Sequence, residues 1–283
     1  IDLRRVPRGP PLIRATKDRR EKIYEELCEI LHRSALKAGY AGQIWGQLGF
    51  YATQLRGRFG RAKLRPFNRR QYEPSRFTLN YQLRSAIVWW MGVLQNDDYH
   101  REVPAGIQER PLVISYSDGE GSSAGVGVAV WSSRHPVPQA GYMQVPAEVR
   151  KLWCCQQDAA RARAQKHPDS NYNVIFEIEA VGPSVILEIF PELMVDSLWL
   201  HFIDNATALS SLVNGSSSVE QGDVLIGYTW LQICLLNVLP WFDRVQSSAN
   251  PVDGLSRGRL SGNWDLRPIG LALELVSLLR EEL

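Results

Sequence analysis

The first hundred residues carry apolar side chains at the three- and four-residue spacing of amphipathic helices. This spacing predicts three helices, over residues 18–38, 40–56 and 76–95. We expect Gly39 to end the first of them, because glycine terminates a helix more readily than it continues one. The segment between the second and third helices, residues 56–66, is basic and interrupted by glycine. The chain therefore begins with a basic helical segment.

A polar stretch at residues 96–110, which contains Pro104 and Gly106, interrupts this pattern and predicts a linker with a domain boundary after residue 109. Beyond it, short apolar runs with a two-residue alternation appear between helical segments. The predicted strands are residues 112–116, 125–131, 141–145, 198–203 and 241–245, and the predicted helices are residues 147–166, 179–190, 205–213, 220–238 and 268–282. This order predicts an α/β domain over residues 110–258, with a mixed five-stranded sheet flanked by helices, and a helical tail over residues 259–283.

The net charge of +2 conceals a strong asymmetry along the chain. Residues 1–84 hold 19 Lys and Arg against 7 Asp and Glu, whereas the rest of the chain holds 13 against 23. Arginine dominates the basic part, and its planar guanidinium suits phosphate oxygens. The asymmetry indicates nucleic-acid backbone binding by the first part and cation binding by the second. A solvated charged helix surface is the simpler alternative for the basic part.

The four cysteines show no zinc-ligand spacing, and Cys154 and Cys155 are adjacent, so we expect reduced thiols of an intracellular protein. The first residue is Ile and no signal peptide is recognisable, which favours a fragment of a longer polyprotein. Residues 224–242 carry no charge and approach a membrane-spanning length. Their Gln, Asn and Pro residues favour a buried helix, and no membrane partner is expected.

Four acidic residues lie at the ends of predicted elements or in a loop. Asp118 ends the first strand of the α/β domain, and Asp204 follows the last residue of an apolar strand. Glu179 begins a predicted helix, and Asp253 lies in a polar loop. Carboxylates that converge repel one another unless cations hold them. The pattern predicts a divalent-metal site, and a site with two ions bridging a phosphate hydrolyses phosphodiesters.

Two segments resemble the ribonuclease H domain of retroelement reverse transcriptases. The first is the strand and glycine-rich run PLVISYSDGEGSSAGVGVAVW at residues 111–131, and the second is NPVDGLSR at residues 250–257. Upstream, GRFGRAKLRP at residues 57–66 and LRSAIVWW at residues 83–90 are similar to the segment between polymerase and ribonuclease H in DIRS-like and related elements. The resemblance covers residues 110–258 and implies a ribonuclease H-like fold, preceded by a thumb or connection segment.

The resemblance also implies a function: metal-dependent cleavage of the RNA strand of an RNA–DNA hybrid. The catalytic and metal-binding residues would be Asp118, Glu179, Asp204 and Asp253, holding two Mg²⁺ ions, with Mn²⁺ as a substitute. The hybrid backbone would be bound by Arg56, Arg58, Arg61, Lys63 and Arg65. The polymerase portion of the same polyprotein would be the protein partner, in the cytoplasm or the nucleus.

Several alternatives stay open at this point. Glu177 competes with Glu179 for the helix carboxylate, and we favour Glu179 because the helix that starts there has the expected length. Pro183 departs from the family pattern, since proline is tolerated in the first turn of a helix but not in its interior. Asp118 or Asp253 would otherwise be turn residues, and Asp204 a helix cap. At the level of function, the alternatives are a connection module that binds nucleic acid without cutting it, and a ribonuclease H-like DNA nuclease or integrase.

Overall fold

The computed structural model describes residues 11–102, 109–163, 174–260 and 262–281 of the 283-residue chain. The chain divides into two compact units at the bond between Glu109 and Arg110. Pro104 and Gly106, on which the predicted linker depended, lie outside the described residues.

The described part of the N-terminal unit is mainly helical. Its helices are α1 (Lys17–Arg33), α2 (Ala38–Ala52), α3 (Arg65–Arg70) and α4 (Tyr81–Gln95), with a 3₁₀ turn at Ala62–Leu64. Two short strands, β1 (Leu12–Ile13) and β2 (Arg101–Glu102), pair antiparallel. The expectation that Gly39 ends the first helix was wrong, because Gly39 lies inside α2. Helix α1 ends instead at Arg33 and is capped by Ser34, which takes a left-handed conformation with a φ of 50°.

In the second unit, the described residues form one six-stranded mixed sheet with the strand order β7-β6-β3-β4-β5-β8. The strands are β3 (Leu112–Glu120), β4 (Gly125–Ser132), β5 (His135–Gln144), β6 (Leu198–Ile203), β7 (Leu239–Arg244) and β8 (Asp265–Leu266). Strands β3, β4 and β5 form an antiparallel meander, while β6 is parallel to β3 and β7 is parallel to β6. The predicted mixed α/β fold is confirmed, but the predicted count of five strands was wrong. The sixth strand, β8, has two residues and is too short to show an alternating pattern.

Helices flank this sheet. They are α5 (Ala147–Arg163), α6 (Ile175–Ile189), α7 (Pro191–Met194), α8 (Ala206–Asn214), α9 (Glu220–Leu235), α10 (Asp253–Ser256) and α11 (Leu273–Glu281). Helix α6 is the central one: its apolar residues share a core with one face of the sheet and with α9. Helix α11 contributes Leu275 and Leu279 to the same core. A smaller cluster on the sheet, built around Ala129, packs against Leu255 of α10. None of the helices in the described ranges has the length and hydropathy of a membrane-spanning segment.

Helix α6 begins four residues earlier than predicted and has Pro183 in its interior. Proline has no N–H, so the Glu179 carbonyl loses its usual helical donor at that turn. The preceding residue, Gly182, has a packing reason. A Cβ added there would lie 2.6 Å from the Cβ of Ser117 on β3. Glycine is therefore the residue that lets the helix approach this strand, and the departure from the family pattern coincides with a close helix–sheet contact.

Candidate metal centre

Two of the four predicted carboxylates are brought together by adjacent parallel strands. Asp118 lies near the end of β3, opposite Gly127 of β4, and Asp204 directly follows β6. Strands β3 and β6 run parallel, so both side chains lie at the same edge of the sheet. Asn205, next to Asp204, caps α8 by accepting hydrogen bonds from the N–H groups of Thr207 and Ala208, at 3.0 Å each. The cap of α8 is thus Asn205, which leaves Asp204 available to the edge of the sheet.

The third carboxylate, Glu179, reaches this edge from helix α6 because Gly119 of β3 lacks a side chain. A Cβ on Gly119 would lie 2.9 Å from Cγ2 of Ile178 and 3.2 Å from Cδ of Glu179. Gly119 has no positive φ, so its role is close approach rather than a turn.

Asp118, Glu179 and Asp204 form one group, in which a carboxylate oxygen of each lies within 4.8 Å of the other two. Asp118 and Glu179 are buried and Asp204 is half-buried. The Oε2 atom of Glu179 is buried and has no hydrogen-bond partner among the described residues. Three carboxyl groups this close together, one of which has a buried oxygen without a hydrogen-bond partner, are what a bound cation would stabilise. This buried acidic triad could therefore bind a metal ion.

The pKa values of the group follow from its burial and its mutual repulsion. The pKa of Asp118 is raised to about 6. Burial is the main cause and the charges of Asp204 and Asp253 add to it, while the hydroxyl of Ser256 opposes the shift. The pKa of Glu179 is likewise raised to about 9, mainly by burial and then by the charges of Asp204 and Asp118. The metal-free site consequently disfavours carboxylate ionisation. A divalent cation would reverse that preference.

The structure does not bring the other two candidate acids into the group. The carboxylate of Asp253, in α10, forms an ion pair with Arg257 at 2.8 Å, and both side chains are more than 40% exposed. Glu177 is buried on α6 two residues before Glu179, but it too lies outside the group. The predicted role of Asp253 as a fourth ligand stays a prediction, and Glu179 rather than Glu177 is the helix carboxylate that meets the two strand carboxylates.

Two residues that the sequence interpretation overlooked contact Asp118. The hydroxyl of Ser256 donates a hydrogen bond to Oδ2 of Asp118. The amide of Asn250 lies 3.4 Å from Oδ1 of Asp118 and donates to the carbonyl of Ser117 at 3.2 Å. Both belong to the closing segment, residues 250–257. That segment was singled out for Asp253, and nothing in its pattern distinguished the Asn and Ser as contacts of a distant carboxylate.

The closing segment packs against the glycine-rich strand β4. A Cβ on Gly125 would lie 1.9 Å from the carbonyl oxygen of Ser256, and a Cβ on Gly127 would lie 2.5 Å from the Ser256 nitrogen. Any larger residue at either position would push α10 away from the sheet. The two glycines therefore place the Ser256 backbone next to Asp118.

A buried polar network supports the same two strands from the helix-covered face. Oγ of Ser115 lies 2.9 Å from Nδ1 of His201, and Oγ of Ser117 lies 3.2 Å from Nε2 of the same ring. The indole of Trp199 donates to Ser115 at 2.6 Å. Complete burial lowers the pKa of His201 to about 3, so the ring is neutral. This network ties β3 to β6 just before Asp118 and Asp204.

One more acid near the site, Glu120, is occupied elsewhere. Its carboxylate accepts hydrogen bonds from the backbone and hydroxyl of Ser123, at 2.6 Å each, and from those of Ser122 at 2.9 and 2.7 Å. These hydrogen bonds lower the pKa of Glu120 to about 2, and those from Ser123 have the largest effect. Glu120 organises the turn between β3 and β4.

The basic residues predicted to bind nucleic acid lie in the N-terminal unit, and all five are half-buried: Arg56, Arg58, Arg61, Lys63 and Arg65. Arg56 forms an ion pair with Glu102 at 3.3 Å and donates to the carbonyl of His100. Burial, and then the neighbouring charge of Arg58, lower the pKa of Arg61. Arg58 and Arg61 thus lie close enough for their charges to interact.

A scan of the chain against protein-family models and a search of curated proteins both returned no match. The fold and the site define a mixed α/β unit with an acidic triad at the edge where β3 and β6 end.

Proposed function

We propose that this chain is a metal-dependent ribonuclease H that cleaves the RNA strand of RNA–DNA hybrids, as part of a retroelement reverse transcriptase polyprotein. The observation that carries the proposal is the convergence of Asp118, Glu179 and Asp204. These three residues come from a strand, a helix and a second strand, in the order that the sequence resemblance implies. A structural role alone does not explain three carboxylates placed so close together at a sheet edge, because their mutual repulsion costs stability.

The triad would hold Mg²⁺ ions, whose hard oxygen-seeking character matches carboxylate ligands. Bound Mg²⁺ would supply Lewis-acid stabilisation of the charge that develops on the phosphate during hydrolysis. The protein's own contribution is to arrange the ligands. Gly119 admits Glu179, the network around His201 joins the two strands, and Ser256 holds Asp118.

The substrate would be recognised by the shape and 2′-hydroxyl groups of the hybrid rather than by base sequence. The basic segment would add affinity for phosphate, in keeping with the charge asymmetry of the chain. Mn²⁺ would substitute for Mg²⁺, since it has similar ligand preferences. The polymerase portion of the polyprotein would be the natural protein partner in the cell.

A second candidate function is supported by one observation. Asp253 is turned toward Arg257 and lies outside the triad, although the resemblance makes it the fourth ligand. A connection-type module that binds a hybrid without cutting it would tolerate this arrangement. The two candidates differ in one measurable property, which is turnover.

The test is a cleavage assay with an end-labelled RNA–DNA hybrid, in Mg²⁺ and in EDTA. We expect the parent chain to shorten only the RNA strand, and only in Mg²⁺. The variant Asp204→Asn should be inactive, while the matched control Asp243→Asn, which changes an exposed acid at the end of β7, should cleave like the parent. Tight hybrid binding without cleavage would favour the second candidate. Cleavage of duplex DNA instead of the hybrid would favour the DNA-nuclease alternative.

A further inference from the structure

The closing segment meets the acidic triad through neutral hydrogen-bond donors, although it carries an acid of its own. Asp253 points to Arg257, and it is Asn250 and Ser256 that reach Asp118. Each oxygen of the Asp118 carboxylate faces one of these donors. Oδ2 accepts from the Ser256 hydroxyl and Oδ1 lies 3.4 Å from the Asn250 amide. The carboxylate is thus held from one side by two residues six positions apart.

A carboxylate oxygen has two lone-pair sites, so each oxygen of Asp118 keeps one site after accepting a hydrogen bond. The donors restrict rotation of the carboxylate and leave its other lone-pair sites for a cation shared with Glu179 and Asp204. This is how outer residues orient the ligands of metal centres in general: they fix the direction of a ligand without touching the cation.

The position of Ser256 is itself restricted, which distinguishes it from a flexible surface hydroxyl. Its side chain is fully buried. Its backbone oxygen and nitrogen lie against Gly125 and Gly127, at distances that no Cβ could occupy. The hydroxyl also lies 2.9 Å from the carbonyl of Asp253, but its single proton goes to the charged acceptor, because hydrogen bonds to carboxylates are the stronger ones.

We propose that Ser256 is a positioning residue for the metal centre, which sets the orientation of Asp118 and thereby the affinity of the triad for a divalent cation. Asn250 assists from the other carboxylate oxygen. This inference rests on the metal site of the proposed function but not on nuclease turnover. It assigns to the closing segment a role other than supplying a fourth ligand.

The test is a titration of the whole chain with Mn²⁺, in which electron paramagnetic resonance distinguishes free from bound Mn²⁺. Ser256→Ala should lower Mn²⁺ affinity about ten-fold or more, as the loss of an outer-shell partner does in other metal centres. The matched control is Ser197→Ala, because Ser197 is also buried but its hydroxyl donates to the Met194 carbonyl, away from the triad. That control should bind Mn²⁺ within about two-fold of the parent chain.

A rescue variant separates the hydroxyl from the volume of the side chain. Ser256→Thr keeps the hydroxyl and should restore affinity to within about three-fold of the parent chain, with the parent's bound-Mn²⁺ spectrum. If circular dichroism shows that Ser256→Ala or Ser256→Thr does not fold, Ser256→Cys is measured instead of that variant. The weaker thiol donor should give an affinity between those of the parent and of a chain without the donor.

The outcomes are distinguishable from those of the nuclease assay. Parent-like Mn²⁺ binding by Ser256→Ala would overturn the positioning role even if the parent cleaves hybrid. A loss of affinity in Ser256→Ala together with an inactive parent would support the positioning role and overturn the nuclease. Absence of Mn²⁺ binding to the parent would overturn both the positioning role and the nuclease. An equal loss of Mn²⁺ affinity in folded Ser256→Ala and Ser256→Thr would show that the hydroxyl does not determine the affinity.

Discussion

Replacing Asp204 by Asn should stabilise the metal-free protein at alkaline pH. The three carboxylate oxygens of the triad lie within 4.8 Å of one another. The pKa of Glu179 is about 9 and that of Asp118 about 6, so at pH 8 Glu179 is mostly protonated and the charge of Asp118 faces that of Asp204. Two unit charges at this separation repel by roughly 3 kcal/mol at an effective dielectric constant near 20. Asp204 is half-buried, and solvent screening reduces the expected gain to on the order of 1–2 kcal/mol.

The pH dependence has a definite sign. A carboxyl whose pKa is raised by folding binds its proton more tightly in the folded state. The free energy of unfolding of the metal-free parent therefore falls as the pH rises from the ordinary carboxyl range, through 6 for Asp118 and toward 9 for Glu179. At pH 5, Asp118 is mostly protonated and the advantage of Asp204→Asn should nearly vanish.

The assay is urea unfolding in EDTA at pH 5 and pH 8, repeated with Mg²⁺. A cation that binds only the folded parent adds about 2.7 kcal/mol at a hundred times its dissociation constant. Asp204→Asn should lose that increment while being the more stable protein in EDTA. Asp243→Asn, which changes an exposed acid, should stay within about 0.5 kcal/mol of the parent in both conditions. An Asp204→Asn protein no more stable than the parent at pH 8 would show that the carboxylates do not repel as the geometry requires.

Two further predictions concern glycine and arginine. Gly119→Ala should destabilise the second unit by about 1–3 kcal/mol and weaken Mn²⁺ binding, because the new methyl group displaces helix α6, which carries Glu179, from β3. The control is Gly121→Ala, since a Cβ at Gly121 would meet only Ile175, at 3.7 Å. Equal metal affinities of the two variants would contradict the role assigned to Gly119. Neutralising Arg58, Arg61 and Arg65 together should reduce the salt dependence of hybrid binding by up to about three phosphate contacts. An unchanged salt slope, measured by fluorescence anisotropy, would mean that these arginines pack within the protein.

The strand carboxylates were predictable from the sequence because strong local signals surround them. Residues 198–203 are apolar almost throughout, and the strand has the predicted bounds. An acid that follows such a strand must lie at the edge of the sheet, and a second acid on a parallel neighbour lies beside it. The mixed α/β architecture followed from the same alternation of strands and helices.

The rest of the site depends on contacts that leave no periodic signal. The start of α6 at Ile175 was missed because Pro183 was expected near the first turn, and the helix instead continues with one donor missing. Gly119, Gly125 and Gly127 show in sequence only that side chains are absent, and the partner of each becomes visible only in three dimensions. The bond from Ser256 to Asp118 joins residues 138 positions apart, beyond the reach of any local pattern.

That separation has a consequence for the order of events during synthesis and folding. Asp118 leaves the ribosome well before Glu179, Asp204 and finally Ser256, and each contact among them closes a long loop at an entropic cost that only a completed fold repays. The carboxylates of a nascent or truncated chain therefore remain apart as separate, solvated acids. We expect cation binding to appear in one step, when the last segment docks on β4. Cation binding at this site therefore requires the second unit to be intact. A cut in the chain between β3 and α10 that lets the two fragments separate would abolish cation binding.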